Sequence, residues 1–419
     1  MIFSGSIVSL PYRYCAFLMG LRGMTANPSE NQELTLDQLF PAGGKTLLTG
    51  TGKQFIERIG LEAVREVVLA VMLGENVRTH TEPLTRRRIT QISGALVAMF
   101  ANGWLYTENF TEELSKLALQ QLTTRKRRGA DKTSTWLANW AIGLTGKSDQ
   151  NVVGKRSSRI LDYIADFEQA IERAAEQCRA DIGDIRMTLG YVEDLQGRKI
   201  ELNWKDIARL TTAIGSATLT IRGSEKSMYG KLFERLILGS FLTILGFQRV
   251  DPTTNTRTRN VFWLSDSSDL RESDATLLLR PGKLARFDMG FIGPGNSEIS
   301  KDKLSRFARK IETAGSSHSS VTFVVVDRLP STLTTQQAAE QIGAEIIQMS
   351  MQYWPRELAQ KLGARLGLQH ELQKMRDEQM HAYLQTKLSD IPIQDFLTGV
   401  SIAQLQEEPG NYVTGKSSG

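Results

Sequence analysis

Apolar residues recur every three or four positions through the first half of the chain, which predicts amphipathic helices from about residue 35 to residue 200. The segment from 53 to 73 carries one broad apolar stripe formed by Phe55, Ile59, Leu61, Val64, Val67, Val68 and Val71. The same periodicity continues in LTRRRITQISGALVAMFAN, EELSKLALQQL and SRILDYIADFEQAIERAAEQCRADI. The pattern therefore predicts a helical N-terminal domain.

After residue 201 the pattern changes to short apolar runs that alternate with helices. Helical residues 201 to 217 lead to a strongly apolar helix, 229 to 247, which Gly246 closes. The runs VFWLS, ATLLL, ARFDMGFIG and VTFVVVDRL are rich in β-branched and aromatic residues, as strands are. With a helix predicted from about 300 to 314 before the last run, this order is typical of a mixed α/β domain.

The pattern divides the chain into four parts. We expect a disordered leader over 1–34, the helical domain over 35–200, the mixed domain over 201–400 and a disordered tail over 401–419. Within the mixed domain, a helix near residue 335, a short strand EIIQM and a long charged helix from Pro355 to about Leu388 follow the fourth strand.

The leader does not have the pattern of a signal peptide or a membrane span. It lacks a cationic start, and Arg13 and Arg22 interrupt its apolar run. No segment of the chain reaches 18 uninterrupted apolar residues. Met24 opens a polar stretch, so an alternative start of translation at Met24 is consistent with the sequence.

Composition adds two constraints. The 419 residues include 51 Lys and Arg against 46 Asp and Glu, a net charge of +5 that suits a polyanionic partner. The two cysteines, Cys15 and Cys178, with four histidines exclude a disulfide scaffold and a four-ligand zinc site. This cysteine usage favours the reducing cytoplasm.

A glycine-rich segment, PAGGKTLLTGTGKQ, superficially suggests a phosphate-binding loop. A Walker A loop needs a glycine five residues before Gly44, where the chain has Leu39, and Lys53 is followed by Gln54 instead of Ser or Thr. We therefore expect a turn-rich connector without nucleotide-binding function.

Two acids flank the hairpin predicted by ESDATLLLRPGKLARFDMG. Asp274 leads the second strand and Asp288 lies inside the third. Since side chains alternate faces, the acids share a face only if the connection has an odd length, such as Pro281-Gly282-Lys283; a two-residue turn would separate them.

Each acid also has a structural alternative. Asp274 could cap a turn. Asp288 could form a salt bridge to Arg286 or to a helix arginine, because a buried acid in an apolar strand is costly unless it is paired or binds a metal. Glu234, on the apolar helix, could pair with Lys231 one turn earlier.

A helix with Glu234, a three-stranded meander with Asp274 and Asp288, a helix and a strand together resemble the core of PD-(D/E)XK nucleases. The segments YGKLFERLILGSFLTILGF, RESDATLLL and RFDMGFIGPGNSEISKDKLSRF are similar to type II restriction endonucleases of the CfrBI-like group. The resemblance implies an α+β fold, with the helical domain followed by a central mixed sheet flanked by helices. It also implies that Asp274 and Asp288 bind Mg²⁺ directly, and that Glu234 holds a metal-bound water or a second ion.

The chain departs from the family pattern at one position. The family has a lysine two residues after the third-strand acid, where this chain has Gly290. Lys283, Lys301 and Lys303 are close enough in sequence to substitute. Lys303 is the preferred candidate, with Glu298 as an accessory ligand, although Lys301 and Lys303 also suit a solvated helix.

Two basic runs are predicted to lie in the loops between helices, and they are the candidate DNA-phosphate contacts if they are more than solvated surface. They comprise Arg86, Arg87, Arg88, Arg125, Lys126, Arg127 and Arg128.

The leading functional hypothesis is a Mg²⁺-dependent type II endonuclease that cuts double-stranded DNA at a short palindromic site. A twofold site predicts a homodimer, and the resemblance implies a DNA methyltransferase as genetic, not physical, partner. Two alternatives remain: a structure-specific repair or recombination nuclease with the same core, and a non-catalytic DNA-binding protein.

Overall fold

The structure is a computed structural model that describes residues 35–124, 131–152, 157–183, 189–254, 256–265, 273–291, 320–327 and 344–406. The first part is helical. Its helices are α1 Leu36–Leu39, α2 Ala42–Thr49, α3 Gly52–Ile59, α4 Leu61–Met72, α5 Val77–Tyr106, α6 Phe110–Thr124, α7 Lys132–Ala141, α8 Gly146–Val152 and α9 Ser157–Ile182.

The stripe predicted over 53–73 forms two helices instead of one. Gly60 has a φ of +113°, a conformation that ends α3, and α4 begins at the next residue. The glycine-rich segment before it is also helical, which corrects the expectation of a connector. Thr51 and Gln54 form a capping box at the start of α3, and Gly52 lies directly against the Leu397 side chain.

One long helix, α10 Trp204–Ile244, replaces the two helices predicted between 201 and 247. Asn203 and Asp206 form a capping box at its start, and Gly246, with a φ of +86°, follows its end. The helix contacts α5, α7 and α9 as well as strands of the sheet. Leu36–Gly419 is accordingly one compact unit, and the boundary predicted at residue 200 lies inside it.

Eight strands form two sheets in the described residues. A hairpin that the sequence did not predict pairs β1 Tyr191–Glu193 with β2 Lys199–Glu201. The main sheet contains β3 Gln248–Arg249, β4 Val261–Leu264, β5 Ala275–Arg280, β6 Lys283–Gly290, β7 Ser320–Val326 and β8 Glu345–Gln348. Its strands lie in sequence order, and the strands predicted from the four apolar runs and EIIQM are confirmed.

The main sheet is mixed, as expected for an α+β fold. The β4–β5 and β5–β6 pairs are antiparallel, whereas β3–β4, β6–β7 and β7–β8 are parallel. The centre of one face is buried and apolar, with Phe287 and Phe323 stacked at a centroid distance of 5.4 Å. The helices predicted near 300–314 and 335 lie outside the described residues.

The C-terminal part returns to the helical region. It contains α11 Trp354–Leu366, a 3₁₀ helix Glu371–Lys374, α12 Asp377–Ser389, a 3₁₀ helix Ile393–Leu397 and α13 Ile402–Leu405. The single charged helix predicted from Pro355 to Leu388 is therefore interrupted, because Gly367 adopts a left-handed conformation after α11.

Helix α13 lies within 401–419, the segment that the sequence predicted to be a disordered tail. Ile402 donates its N–H to the Gly50 carbonyl at 2.9 Å, and Ile402 and Leu405 are buried. Residues 407–419 and the leader 1–34 lie outside the described part of the chain. No helix within the described residues is long and apolar enough to cross a membrane.

Candidate active site

Asp274 directly precedes β5, and Asp288 lies near the end of the neighbouring strand β6. The antiparallel register runs from Leu278 opposite Leu284 to Ala275 opposite Phe287, and the same register continued by one place puts Asp274 opposite Asp288. Residues directly opposite in an antiparallel pair point to the same face, with Cβ atoms roughly 5 Å apart. Continued in this way, the register meets the geometric condition derived from the sequence.

The hairpin satisfies that condition by a different route from the one expected. Arg280 pairs with Lys283, so Pro281-Gly282 is a two-residue turn, and Gly282 has the positive φ, +78°, that such a turn requires. A bulge at Leu279 shifts the register by one residue. Without this bulge, Asp274 would face Met289 and lie on the other side of the sheet from Asp288.

Hydrogen bonds fix the start of β5 around Asp274. Its Oδ2 accepts the Met289 N–H at 2.7 Å, and its carbonyl accepts the Ser265 N–H at 3.2 Å. This side-chain hydrogen bond continues the β5–β6 hydrogen-bond ladder beyond Ala275. One carboxylate oxygen therefore has a structural task, as the capping alternative anticipated.

Asp288 is buried beside an apolar cluster of β7 and β8. It is 2% exposed and is in register with Val324 of β7, which belongs to a cluster with Val326, Ala344 and Ile346. A carboxylate so buried is costly unless it has charged, polar or metal partners. A functional requirement at this position would explain why an apolar residue does not occupy it.

The acids lie where strands of the main sheet begin or end, on central strands. β4, β6 and β7 end there, and β5 begins there. Beyond Ser265, Phe291 and Asp327, the segments that follow β4, β6 and β7 lie outside the described residues. Among the described residues, no group of three or more His, Cys, Asp or Glu side chains is arranged to hold a metal ion.

Glu234 lies on α10 and is half-buried. The next residue, Arg235, connects α10 to the end of β4, beside Asp274. It is 7% exposed, its Nη1 donates to the Ser265 carbonyl, and its Nε donates to the Phe396 carbonyl at 3.3 Å. Sequence analysis missed Arg235 and Ser265, because only folding brings these distant segments together.

Gly290 occupies the same face as Asp288, two residues further along β6, in register with Val326. Lys283 is excluded as its substitute, since it lies five residues from Asp288 along β6, about 17 Å in a strand. Its Nζ donates to the Arg365 carbonyl at 3.5 Å. Glu298, Lys301 and Lys303 lie outside the described residues.

The first basic run lies within α5 and not in a loop, which corrects the expected placement. Arg88 cannot contact DNA from its position. It is 1% exposed, its Nε and Nη2 donate to the Leu47 carbonyl at 3.2 and 3.0 Å, and it lies over the Phe55 ring. Burial lowers the pKa of Arg88.

Arg86 and Arg87 are exposed. Arg86 forms an ion pair with Glu82 at 3.1 Å, and Arg222 of α10 binds the same carboxylate at 2.7 Å. Hydrogen bonds from Arg222 and Arg86 lower the pKa of Glu82 to about 2. Arg125, Lys126, Arg127 and Arg128 lie outside the described residues.

Comparison with known proteins agrees with the sequence resemblance. Residues 61–334 match the family described as CfrBI restriction endonuclease. The type II restriction enzyme CfrBI of Citrobacter freundii is 31% identical over 344 residues, which are 82% of this chain and 93% of that protein. No solved structure matches the chain.

Proposed function

This chain belongs to the CfrBI restriction endonuclease family, and we propose that it cuts double-stranded DNA at a short palindromic sequence with Mg²⁺ as cofactor. As a type II restriction endonuclease it is an endodeoxyribonuclease. The observation that supports the site-level proposal is the β5–β6 register, which continued by one place puts Asp274 opposite Asp288.

The donor set suits Mg²⁺. This ion prefers oxygen ligands and is usually bound by one or two carboxylates, with waters and substrate phosphate completing the shell. Asp274 and Asp288 supply two carboxylates on one face of neighbouring strands. We assign them as direct ligands and Glu234 as the holder of a coordinated water or a second ion.

The residues around the site hold Asp274 in place and limit the access of bulk water. When bound, the cation supplies Lewis-acid stabilisation of phosphoryl charge and lowers the pKa of a bound water. The Met289 N–H fixes the orientation of the Asp274 carboxylate, and the apolar cluster beside Asp288 keeps bulk water away from that side. Lys303 and Glu298 remain our proposals for the cation at the attacking water and for an accessory ligand.

We propose that basic residues of the two runs bind DNA. Arg86 and Arg87 on α5 are candidates for phosphate contacts, as is the run Arg125, Lys126, Arg127 and Arg128. A palindromic target is matched by a twofold protein, so we propose a homodimer. A cognate DNA methyltransferase would protect host DNA, since a methyl group in the major groove changes the pattern that the enzyme reads.

Digestion of a mapped plasmid tests the proposal. Purified protein with Mg²⁺ should convert the plasmid into a small set of discrete fragments, and chelation of the metal with EDTA should stop cleavage. A smear would instead indicate a nuclease that recognises structure or ends. DNA binding without cleavage in Mg²⁺ or Mn²⁺ would support the non-catalytic alternative.

A further inference from the structure

We propose that Arg235 is a positioning residue that fixes Asp274 for cation binding, with Ser265 as the connecting group. This inference rests on the proposed function, because it explains how one of the two proposed metal ligands is held in place. Neither Arg235 nor Ser265 is among the residues that the family resemblance identified.

The first step is the burial of Arg235. A guanidinium that is 7% exposed must have its donors satisfied, and here it donates to the main-chain carbonyls of Ser265 and Phe396. Its planar fork joins three segments distant in sequence: α10, the end of β4, and the 3₁₀ helix Ile393–Leu397. A lysine ammonium carries all its donors on one nitrogen, so it would have to reach both carbonyls from a single point.

The second step is the connection from Ser265 to Asp274. Leu264 is the last residue of β4 and pairs with Ala275, and the Ser265 N–H continues the ladder to the Asp274 carbonyl. The Ser265 hydroxyl donates to the Ser273 carbonyl. Ser265 therefore holds the main chain on both sides of the Ser273–Asp274 peptide bond, while Arg235 holds Ser265.

The third step is the carboxylate. With the Asp274 main chain fixed from the β4 side and its Oδ2 fixed by the Met289 N–H at 2.7 Å, the side chain has one orientation relative to Asp288. Without the hydrogen bond from Arg235, the end of β4 would be unanchored and that orientation would broaden. Groups that orient metal ligands typically contribute about 10-fold to 100-fold to metal affinity.

The test compares Mn²⁺ binding, measured by titration calorimetry without DNA, in wild type, Arg235→Lys and Arg88→Lys. Arg88 is the matched control, since it is equally buried and also donates to a main-chain carbonyl, but within the helical region. We expect Arg235→Lys to raise the Mn²⁺ dissociation constant about 10-fold or more, and Arg88→Lys to leave it unchanged even if it lowers the thermal midpoint.

Cleavage gives the second measurement. In Arg235→Lys the Mg²⁺ concentration for half-maximal plasmid cleavage should rise, and saturating Mg²⁺ should restore most of the rate. If Arg235→Lys does not fold, Arg235→Gln takes its place, because glutamine keeps a side-chain N–H donor but lacks the fork that joins the Ser265 and Phe396 carbonyls. Weaker Mn²⁺ binding in Arg235→Gln supports the inference, and wild-type affinity overturns it.

Asp288→Asn separates this inference from the proposed function. If Asp288→Asn binds Mn²⁺ as well as wild type, the proposed metal site itself is wrong. If Asp288→Asn loses Mn²⁺ while Arg235→Lys keeps wild-type affinity, the metal site stands and the positioning role of Arg235 is overturned.

Discussion

At the scale of single residues, Asp288 is the acid whose burial is hardest to explain by stability alone. It is 2% exposed and is in register with the apolar Val324 of β7. Residues selected for a reaction commonly violate the local rules of packing. A salt bridge to Arg286 or to a helix arginine is the competing explanation, and the two explanations differ in what substitution of Asp288 does to stability.

We expect Asp288→Asn to abolish Mg²⁺-dependent cleavage, to retain DNA binding and to unfold in urea at a midpoint no lower than that of wild type. Asparagine keeps the size of the side chain but removes the charge that a cation needs, and also the cost of burying that charge. Cleavage assays, gel-shift binding and urea unfolding measure the three properties.

A marked loss of stability in Asp288→Asn, together with normal cleavage, would instead assign Asp288 to a structural ion pair. A buried pair broken by removal of one partner is destabilised by about 3 to 5 kcal/mol.

A single functional residue can be identified from the sequence only where it departs from the pattern of its neighbours. Asp288 stands out because an acid interrupts an apolar strand, and Asp274 because it leads the neighbouring strand. Arg235 could not be identified in this way. An arginine on an otherwise apolar helix looks like a surface residue until folding brings the end of β4 and Phe396 to it.

At the scale of elements, short local patterns predicted whether a segment is a helix or a strand, but not whether two helical segments form one continuous helix. The strands followed from β-branched and aromatic runs, whereas the single helix α10 was predicted as two. The segment GSATLTIRGSEKS lacks a strong apolar stripe, and only packing against α5, α7 and α9 makes it helical throughout. The bulge at Leu279 leaves no local signal, since it follows from the pairing register.

One prediction concerns the end of α12. Arg65 of α4 donates from Nη1 to the carbonyls of Leu388 and Ser389 at 2.6 and 2.7 Å, and from Nη2 to that of Ile391 at 3.3 Å. These carbonyls include orphan acceptors at the helix end. We expect Arg65→Ala to lower the free energy of unfolding by about 2 kcal/mol, because the substitution removes hydrogen bonds from a charged donor.

Chemical denaturation of Arg65→Ala, with the exposed Arg78→Ala as control, measures this effect. Equal stability of the two variants would show that water replaces the Arg65 hydrogen bonds without cost.

A second prediction concerns the ion pair between α5 and α10. The pKa of Glu82 falls from its usual value of 4.5 to about 2, mainly through hydrogen bonds from Arg222 and Arg86. A lowered pKa in the folded state gives stability that is present above pH 4.5 and is lost as pH falls towards 2. The group is exposed, so the contribution is small and screened by salt.

We therefore expect the urea midpoint of Glu82→Gln to lie slightly below that of wild type at neutral pH, with a difference that shrinks in acid and in about 1 M NaCl, where the Debye length is only about 3 Å. A difference that grows as the pH falls would contradict the assigned direction of the pKa shift.

At the scale of the whole molecule, α10 joins the helical region to the nuclease sheet. It contacts α5, α7 and α9 and also the strands β3 to β6. Trp354 of α11 donates its Nε1–H to the Val71 carbonyl of α4 at 2.9 Å, a second connection between the parts. The sequence pattern separates the two parts because it records local periodicity, and it contains no information on which elements pack together.

The surface charge leads to a prediction about DNA affinity. Removal of one arginine that binds a DNA phosphate should reduce the slope of log affinity against log salt by about 0.9. Of the first basic run, Arg86 and Arg87 are exposed and Arg88 is buried. We expect the double variant Arg86→Ala/Arg87→Ala to reduce the slope by about 2, and Arg88→Lys to leave it unchanged.

Fluorescence anisotropy with duplex DNA over a range of salt concentrations measures the slope. An unchanged slope in the double variant would remove Arg86 and Arg87 from the DNA interface.

The central claim is that Asp274 and Asp288 jointly hold a divalent cation. Crystals of the protein grown with Mn²⁺, measured at a wavelength where manganese scatters anomalously, test it directly. We expect an anomalous peak between the two side chains, roughly 2 Å from a carboxylate oxygen of each. A manganese peak elsewhere in the molecule, or carboxylates on opposite faces of the sheet, would contradict the claim.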